Sequence, residues 1–260
     1  MNHASYTKFL HMGKARVNKF LHLHGWKLGH VLTDAREKSL GNWITHFDIG
    51  ISQIIEDLLL ELKFPHVFIS EETWNESQNF KTDSPVIILD PIDGTRGFKE
   101  GTQYFCLSLL AMEEGRGVFS WLWNFGTQEE VVTFTPSFEQ HVQKQSLEVL
   151  HGLVSDSEWQ NQLWNSAMES TDIKLVACGS IAYKLLLLAE GKCDFVASKR
   201  PKNLWDIAGG THALSAKGFK LYCQNSEVLS LDRMLWPAPL LWCRPEYREK
   251  LNDLLFGINL

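Results

Sequence analysis

A mixed fold, with an α+β half followed by an α/β half, is what this 260-residue sequence predicts, and three observations predict it. Ile51, Ile54, Ile55, Leu58, Leu59 and Leu62 recur at helical spacing, with Glu56, Asp57 and Glu61 on the opposite face. Two apolar stretches, 104–112 and 118–125, flank Glu113-Glu114-Gly115-Arg116-Gly117, which reads as a hairpin connection with glycine where positive φ is needed. Beyond residue 148, strand and helix patterns alternate.

Taken in order, Asp48 stands just before the first periodic helix, where a carboxylate suits a helix N-terminus, and Phe64-Pro65 ends it. Residues 67–70 read as a short strand that delivers Glu71 and Glu72 at its exit. The run 86–89 ends on Asp90, and 130–134 adds a strand to a largely antiparallel sheet. The polar segment 135–148 breaks the pattern, so the chain divides into an N-terminal part, 1–140, and a C-terminal part, 141–260. In the second part strands at 149–154, 173–178 and 194–197 alternate with helices at 159–170, 181–190 and 207–217. Ser180 is the expected N-cap of the middle helix, with Gly191 past its end, and Asp206 and Gly218 bracket the third.

Composition bounds the function. Net charge is −6 and the pI about 5.9, signs that oppose a polyanionic partner, so no nucleic acid is expected. No apolar run approaches the ~20 residues of a membrane span, and the first residues carry no basic segment followed by an apolar one, so the expected location is cytoplasmic, with no membrane contact. Five widely spaced cysteines contain no C-x-x-C pair and read as reduced core thiols; the ten histidines show no metal-binding spacing. The ten tryptophans are mostly core residues, and an exposed subset would form the surface of a homodimer.

Asp90-Pro91-Ile92-Asp93-Gly94-Thr95 carries the chemistry. A strand brings Asp90 to its edge, proline sets φ, and Asp93 follows across a tight turn closed by Gly94. Such a turn points two carboxylates and the Ile92 carbonyl at one place and leaves the Gly94 and Thr95 N–H groups facing an anion. Clustered hard oxygens suit Mg²⁺. Alone, Glu71-Glu72 reads as a surface pair and Asp206, in Trp205-Asp206, as a helix cap; beside the hexamer they join one constellation.

Trp43-Ile44-Thr45-x-x-Asp48, Phe64-Pro65 followed by Ser70-Glu71-Glu72, Asp90 to Thr95, and Trp205-Asp206 occur in an order and spacing that resembles the inositol monophosphatase superfamily of magnesium-dependent, lithium-sensitive phosphatases. The resemblance runs from about Lys38 to Gly218. It implies the layered αβαβα sandwich of the inositol monophosphatase and fructose-1,6-bisphosphatase type, acting on a small-molecule phosphate ester with two or three Mg²⁺ per site. By position, Glu71, Asp90, the Ile92 carbonyl, Asp93 and Asp206 resemble the metal ligands. Asp48, Thr95 and Glu72 are the implied catalytic residues, with Thr95 and Asp48 orienting and deprotonating the attacking water. Gly94 and Thr95 would hold the phosphate, while Gly179, Ser180, Lys184 and Lys199 fall where the superfamily contacts substrate.

Within the superfamily, Ser70-Glu71-Glu72 and Arg96-Gly97-Phe98-x-x-Gly101 look more like the 3′(2′),5′-bisphosphate nucleotidase branch, which converts adenosine 3′,5′-bisphosphate to AMP and phosphate. Lys199, with Arg200 and Lys202 beside it, stands where inositol-specific members place a Glu, and a cation there suits a second phosphate. The alternatives are an inositol-1-phosphate or histidinol-phosphate phosphatase, then a fructose-1,6-bisphosphatase or a non-catalytic binding protein.

Overall fold

Helix α1 (His3–Leu23) buries Tyr6, Phe9, Gly13, Val17 and Leu21, a stripe that repeats every three or four residues and that the sequence reading passed over. A hairpin of β1 (Arg36–Ser39) and β2 (Asn42–Ile44) leads into α2 (His46–Glu61). Then come β3 (Val67–Ser70), β4 (Val86–Asp93), the one-turn α3 (Thr95–Lys99), β5 (Cys106–Glu113), β6 (Arg116–Asn124) and β7 (Glu129–Phe134). The second half runs β8 (Leu150–Ser155), α4 (Asp156–Gln160), β9 (Ile173–Cys178), α5 (Ile181–Ala189), β10 (Phe195–Ser198), β11 (Lys202–Asn203) and α6 (Leu204–Ala216). It ends with β12 (Lys220–Cys223), β13 (Ser226–Glu227), β14 (Leu235–Trp236), β15 (Leu240–Cys243) and α7 (Arg248–Phe256). This computed structural model describes residues 3–39, 42–75, 85–135 and 148–257. The expected division between residues 140 and 141 lies outside the described residues.

Two sheets stack with helices on every face. The first, in order β3-β4-β5-β6-β7, is antiparallel apart from the β3–β4 pair. The second, in order β13-β12-β15-β10-β8-β9, has parallel β8, β9 and β10 at one side, as strands linked by helices must. Period-two alternation along β4 assigns the layers: Ile87 and Leu89 pack with Phe47, Ile51, Phe9 and Trp121 under α1 and α2, while Val86 and Ile88 meet Leu204 and Ala208 of α6. Helices α5 and α6 pack on each other between the sheets, in one apolar layer with Leu122 and Val131 of the first and Val196 and Trp242 of the second. Trp164, Leu251 and Leu255 cover the outer face of the second sheet. The result is the αβαβα sandwich.

Four boundaries differ from expectation, each for a local reason. Helix α2 begins at His46, so Asp48 is its third residue: Thr45 takes the cap, accepting from the Phe47 N–H while Asp48 accepts from the Thr45 N–H. Asp206 is likewise the third residue of α6, behind a cap at Asn203. The helix expected over 159–170 is broken, because Gln162 turns left-handed (φ 58°) and the chain folds Trp164 and Ala167 into the core. The hairpin connection is tighter than expected, only Glu114 and Gly115, both at positive φ. All five cysteines are free and buried. Of the ten tryptophans, five are buried and five half-buried, so none forms a fully exposed patch. No helix among the described residues is long and apolar enough to cross a membrane.

Candidate active site

Pro91 has no N–H to give a neighbouring strand, and the β4–β5 ladder breaks there: Asp90 pairs with Ser108, but Asp93 pairs with Cys106. Three residues thus oppose two. The bulge cancels the alternation that would send Asp90 and Asp93 to opposite faces. Asp206 arrives from the first turn of α6, and carboxylate oxygens of Asp90, Asp93 and Asp206 all lie within 4.8 Å of one another. Asp90 is buried and accepts from the Ile92 N–H at 3.0 Å. One oxygen of Asp93 accepts from the Ser180 hydroxyl (2.5 Å) and the Ala182 N–H (2.6 Å), and Asp206 accepts from the Asn203 N–H (2.9 Å).

Burial and mutual repulsion push Asp90 and Asp206 well above the usual carboxylate range. Burial raises Asp93 too, against the hydrogen bonds from Ser180 and Ala182. A divalent cation would relieve both burdens, and the donors are hard oxygens, so the residues present fit a Mg²⁺ site.

The buried Asp48 carboxylate connects α2 to the bulge. Its Oδ2 accepts from the Thr45 N–H (2.7 Å) and hydroxyl (2.6 Å), and its Oδ1 lies 2.9 Å from Thr95 Oγ1. Burial pushes Asp48 up to about 6, against the pull of the Thr45 and Thr95 hydrogen bonds. Thr95 Oγ1 also stands 3.0 Å from the Ile92 carbonyl. Gly94 turns this corner at φ 88°, and a Cβ there would meet the Tyr104 carbonyl at 2.5 Å, so only glycine fits. Glu71 and Glu72 share one partner, the Lys38 ammonium, at 3.0 Å from each. Burial raises both carboxyls and Lys38 opposes it.

The residues expected to touch substrate divide. Gly94, Gly179 and Ser180 line a cavity of about 260 Å³ that adjoins the bulge. The Ser180 hydroxyl, however, already gives its proton to Asp93 and caps α5 by accepting from the Tyr183 N–H. Lys184 is buried behind this loop, its ammonium bound to the Cys178 and Ser180 carbonyls at 2.9 and 3.0 Å. Lys199 is not brought to the cluster: its ammonium donates to the Leu163 carbonyl and sits 4.5 Å over the Trp164 ring. Lys202 is the lysine of that loop whose charge reaches Asp93 and Asp206. Thr45 and Lys38 escaped the residue-by-residue reading. The T-x-x-D capping pattern could have found Thr45; nothing local marks Lys38, which a separate hairpin carries to Glu71 and Glu72.

Comparison with known proteins identifies the family. The inositol monophosphatase family model matches residues 24–251. A curated relative, inositol monophosphatase 3 of Solanum lycopersicum, is 28% identical over 83% of this chain and 86% of its own length. Among solved structures, the Thermotoga maritima IMPase superposes with a TM-score of 0.72 at 20% identity, covering 92% of each chain. The extragenic suppressor protein SuhB of Bartonella henselae gives 0.73 at 16% identity, covering 97% of this chain and 99% of its own. With the match spanning both sheets and reaching every carboxylate of the cluster, this chain belongs to the inositol monophosphatase family of phosphoric monoester hydrolases.

Proposed function

We propose that the chain is a Mg²⁺-dependent phosphomonoesterase that hydrolyses the monophosphate ester of a small polyol such as inositol 1-phosphate. The observation that carries this reading is the convergence of Asp90, Asp93 and Asp206 within 4.8 Å, beside a Gly94–Thr95 turn and the Thr95–Asp48 pair. Asp90, Asp93, Asp206, Glu71 and the Ile92 carbonyl would hold the metal. When bound, Mg²⁺ supplies Lewis-acid polarisation of the phosphate and of the attacking water. The chain's own part is orientation and proton transfer. Thr95, donating to Asp48, keeps lone pairs of its hydroxyl oxygen for a hydrogen of the water, and Asp48, held near 6, is ionised at neutral pH and receives the proton relayed through Thr95. The Gly94 and Thr95 N–H groups face the phosphate. The new O–P bond forms as the ester P–O bond opposite it breaks; the departing alkoxide takes a proton from solvent water, giving the free alcohol and inorganic phosphate without a phosphorylated enzyme. Glu72, paired with Lys38 and close enough to Asp48 to feel its charge, assists that proton transfer.

A second reading, the 3′(2′),5′-bisphosphate nucleotidase, is favoured by Lys202, whose positive charge reaches the cluster. Phosphate release with Mg²⁺ from inositol 1-phosphate and from adenosine 3′,5′-bisphosphate, with and without lithium, separates the two. A larger kcat/KM on the inositol ester is expected. Preference for the nucleotide selects the second reading, and failure of both esters removes the phosphatase assignment for these substrates.

A further inference from the structure

One wall of the cavity beside the phosphate turn is held by a fully buried glutamate. Glu158 of α4 is 0% exposed; its Oε1 accepts from the Ser198 hydroxyl (2.7 Å) and the Lys199 N–H (3.1 Å), and its Oε2 from the Trp164 indole (3.1 Å). Three donors satisfy this carboxylate and tie α4 to the exit of β10. From the same turn of helix, Asp156, Ser157 and Gln160 face the cavity instead.

Asp156 differs from every other carboxylate near the site. It accepts no hydrogen bond from the described residues, and its Oδ2 lies 3.5 Å from the place where a side chain on Gly179 would begin. Gly179, Ser180 and Gly94 line the same cavity, so a free carboxylate acceptor faces the space next to the phosphate turn. The single cation among the described lining residues, Arg96, is paired with Glu100 at 3.1 Å, which leaves the lining with an excess negative charge. At about 260 Å³ the cavity is at the small end of ligand pockets, below the ~300 Å³ from which drug-sized sites start.

We propose that Asp156 selects the leaving group: it accepts hydrogen bonds from the hydroxyls of a small polyol and repels a second phosphate. The inference rests on the phosphomonoesterase reading above and adds the residue that sets its substrate class. A hydroxyl donating to an ionised acceptor makes one of the stronger hydrogen bonds available in a pocket, whereas a second phosphate would face Asp156 with no free cation on the lining to offset it.

The test compares wild type, Asp156→Ala and Asp156→Lys on inositol 1-phosphate, adenosine 3′,5′-bisphosphate and phenyl phosphate, the last offering no hydroxyl. Asp156→Ala should raise KM for inositol 1-phosphate about tenfold, with kcat within about twofold, and leave phenyl phosphate unchanged. Asp156→Lys should shift the kcat/KM ratio toward the bisphosphate by at least ~10-fold. Calorimetric binding of free inositol with phosphate should weaken about tenfold in Asp156→Ala, a reading that needs no turnover. A uniform fall on all three esters, or an unchanged KM for inositol 1-phosphate, overturns the proposal. Wild-type enzyme inert on all three overturns the phosphatase reading instead, a result distinct from turnover that ignores Asp156.

Discussion

Thr95 Oγ1 stands 2.9 Å from Asp48 Oδ1, and this one contact joins the β4 bulge to the first turn of α2. In the proposed mechanism it also divides the labour of the site: Asp90, Asp93 and Asp206 would gather negative charge for a cation, while Thr95 and Asp48 would manage a proton. The two tasks should therefore separate on mutation.

Removing the Thr95 hydroxyl should cost chemistry and spare cation binding. Thr95→Ala is expected to lower kcat at least ~100-fold, the usual contribution of a positioned proton-transfer group. The rise in Tm on adding Mg²⁺ should persist, since none of the three clustered carboxylates is touched. Thr95→Ser, which keeps the hydroxyl, should recover most of the loss. Loss of both kcat and the Mg²⁺ shift in Thr95→Ala would place the hydroxyl in the cation site.

Cation removal should destabilise the protein in a pH-dependent way. Asp90 and Asp206 have folded pKa values raised well above the usual carboxylate value by burial, so the stability they allow is present at low pH and is lost as pH rises from the usual carboxylate value up through those raised folded values. Chelation with EDTA should accordingly lower Tm more at pH 8 than at pH 5. Asp206→Asn keeps an acceptor for the Asn203 N–H but removes one of the repelling charges. In EDTA at pH 8 it should melt higher than wild type, and Mg²⁺ should raise its Tm less. An Asp206→Asn protein that melts lower than wild type in EDTA would show that repulsion in the cluster is not what limits stability.

How much of this was legible follows from where each signal lies in the chain. The bulge and its two carboxylates were readable because Asp90, Pro91, Asp93 and Gly94 sit in one hexamer, and local turn chemistry decides their geometry. Both capping carboxylates were seen, yet three residues off their true place, because a capping box puts the acid at the third helical position and the cap three residues before it. Lys199 misled for a different reason. Seven residues before Asp206 is a spacing along the chain, but the direction of its side chain is fixed by Trp164 and Leu163, which no local pattern connects to it. Asp156 was invisible for the same reason, since its relation to Gly179 exists only once β8 and β9 lie parallel and end together.

The lysine loop gives a direct check of that correction. Lys199→Ala should alter kcat/KM for inositol 1-phosphate and adenosine 3′,5′-bisphosphate by the same factor, because its ammonium is engaged over Trp164. The cost should be stability of about 1 kcal/mol from the lost cation–π contact. Lys202→Ala, which removes the charge that reaches Asp206, should shift the ratio between the two esters. A substrate-selective effect in Lys199→Ala and none in Lys202→Ala would reverse the assignment of the two lysines.

His212 supplies a pH dependence of opposite sign, away from the carboxylates. It lies on α6 with Nδ1 2.9 Å from the Ser120 hydroxyl and Nε2 2.7 Å from that of Thr135. Burial pulls its pKa down to about 4 from the usual 6.5, partly offset by the Gly117 backbone. Between those values the unfolded chain binds a proton that the folded one does not, so stability rises with pH across the window. The interval is worth ~3 kcal/mol at neutral pH, fully present above pH 6.5 and lost as pH falls toward about 4. Urea unfolding in EDTA, comparing wild type with His212→Gln near pH 7.5 and pH 5, isolates the effect from the cation site. The stability gap between the two proteins should narrow by ~2 kcal/mol at the lower pH, because glutamine has no proton to gain. A gap that stays constant would mean that His212 takes up its proton equally in the folded and unfolded chain, and that the Ser120 and Thr135 hydroxyls accommodate the imidazolium.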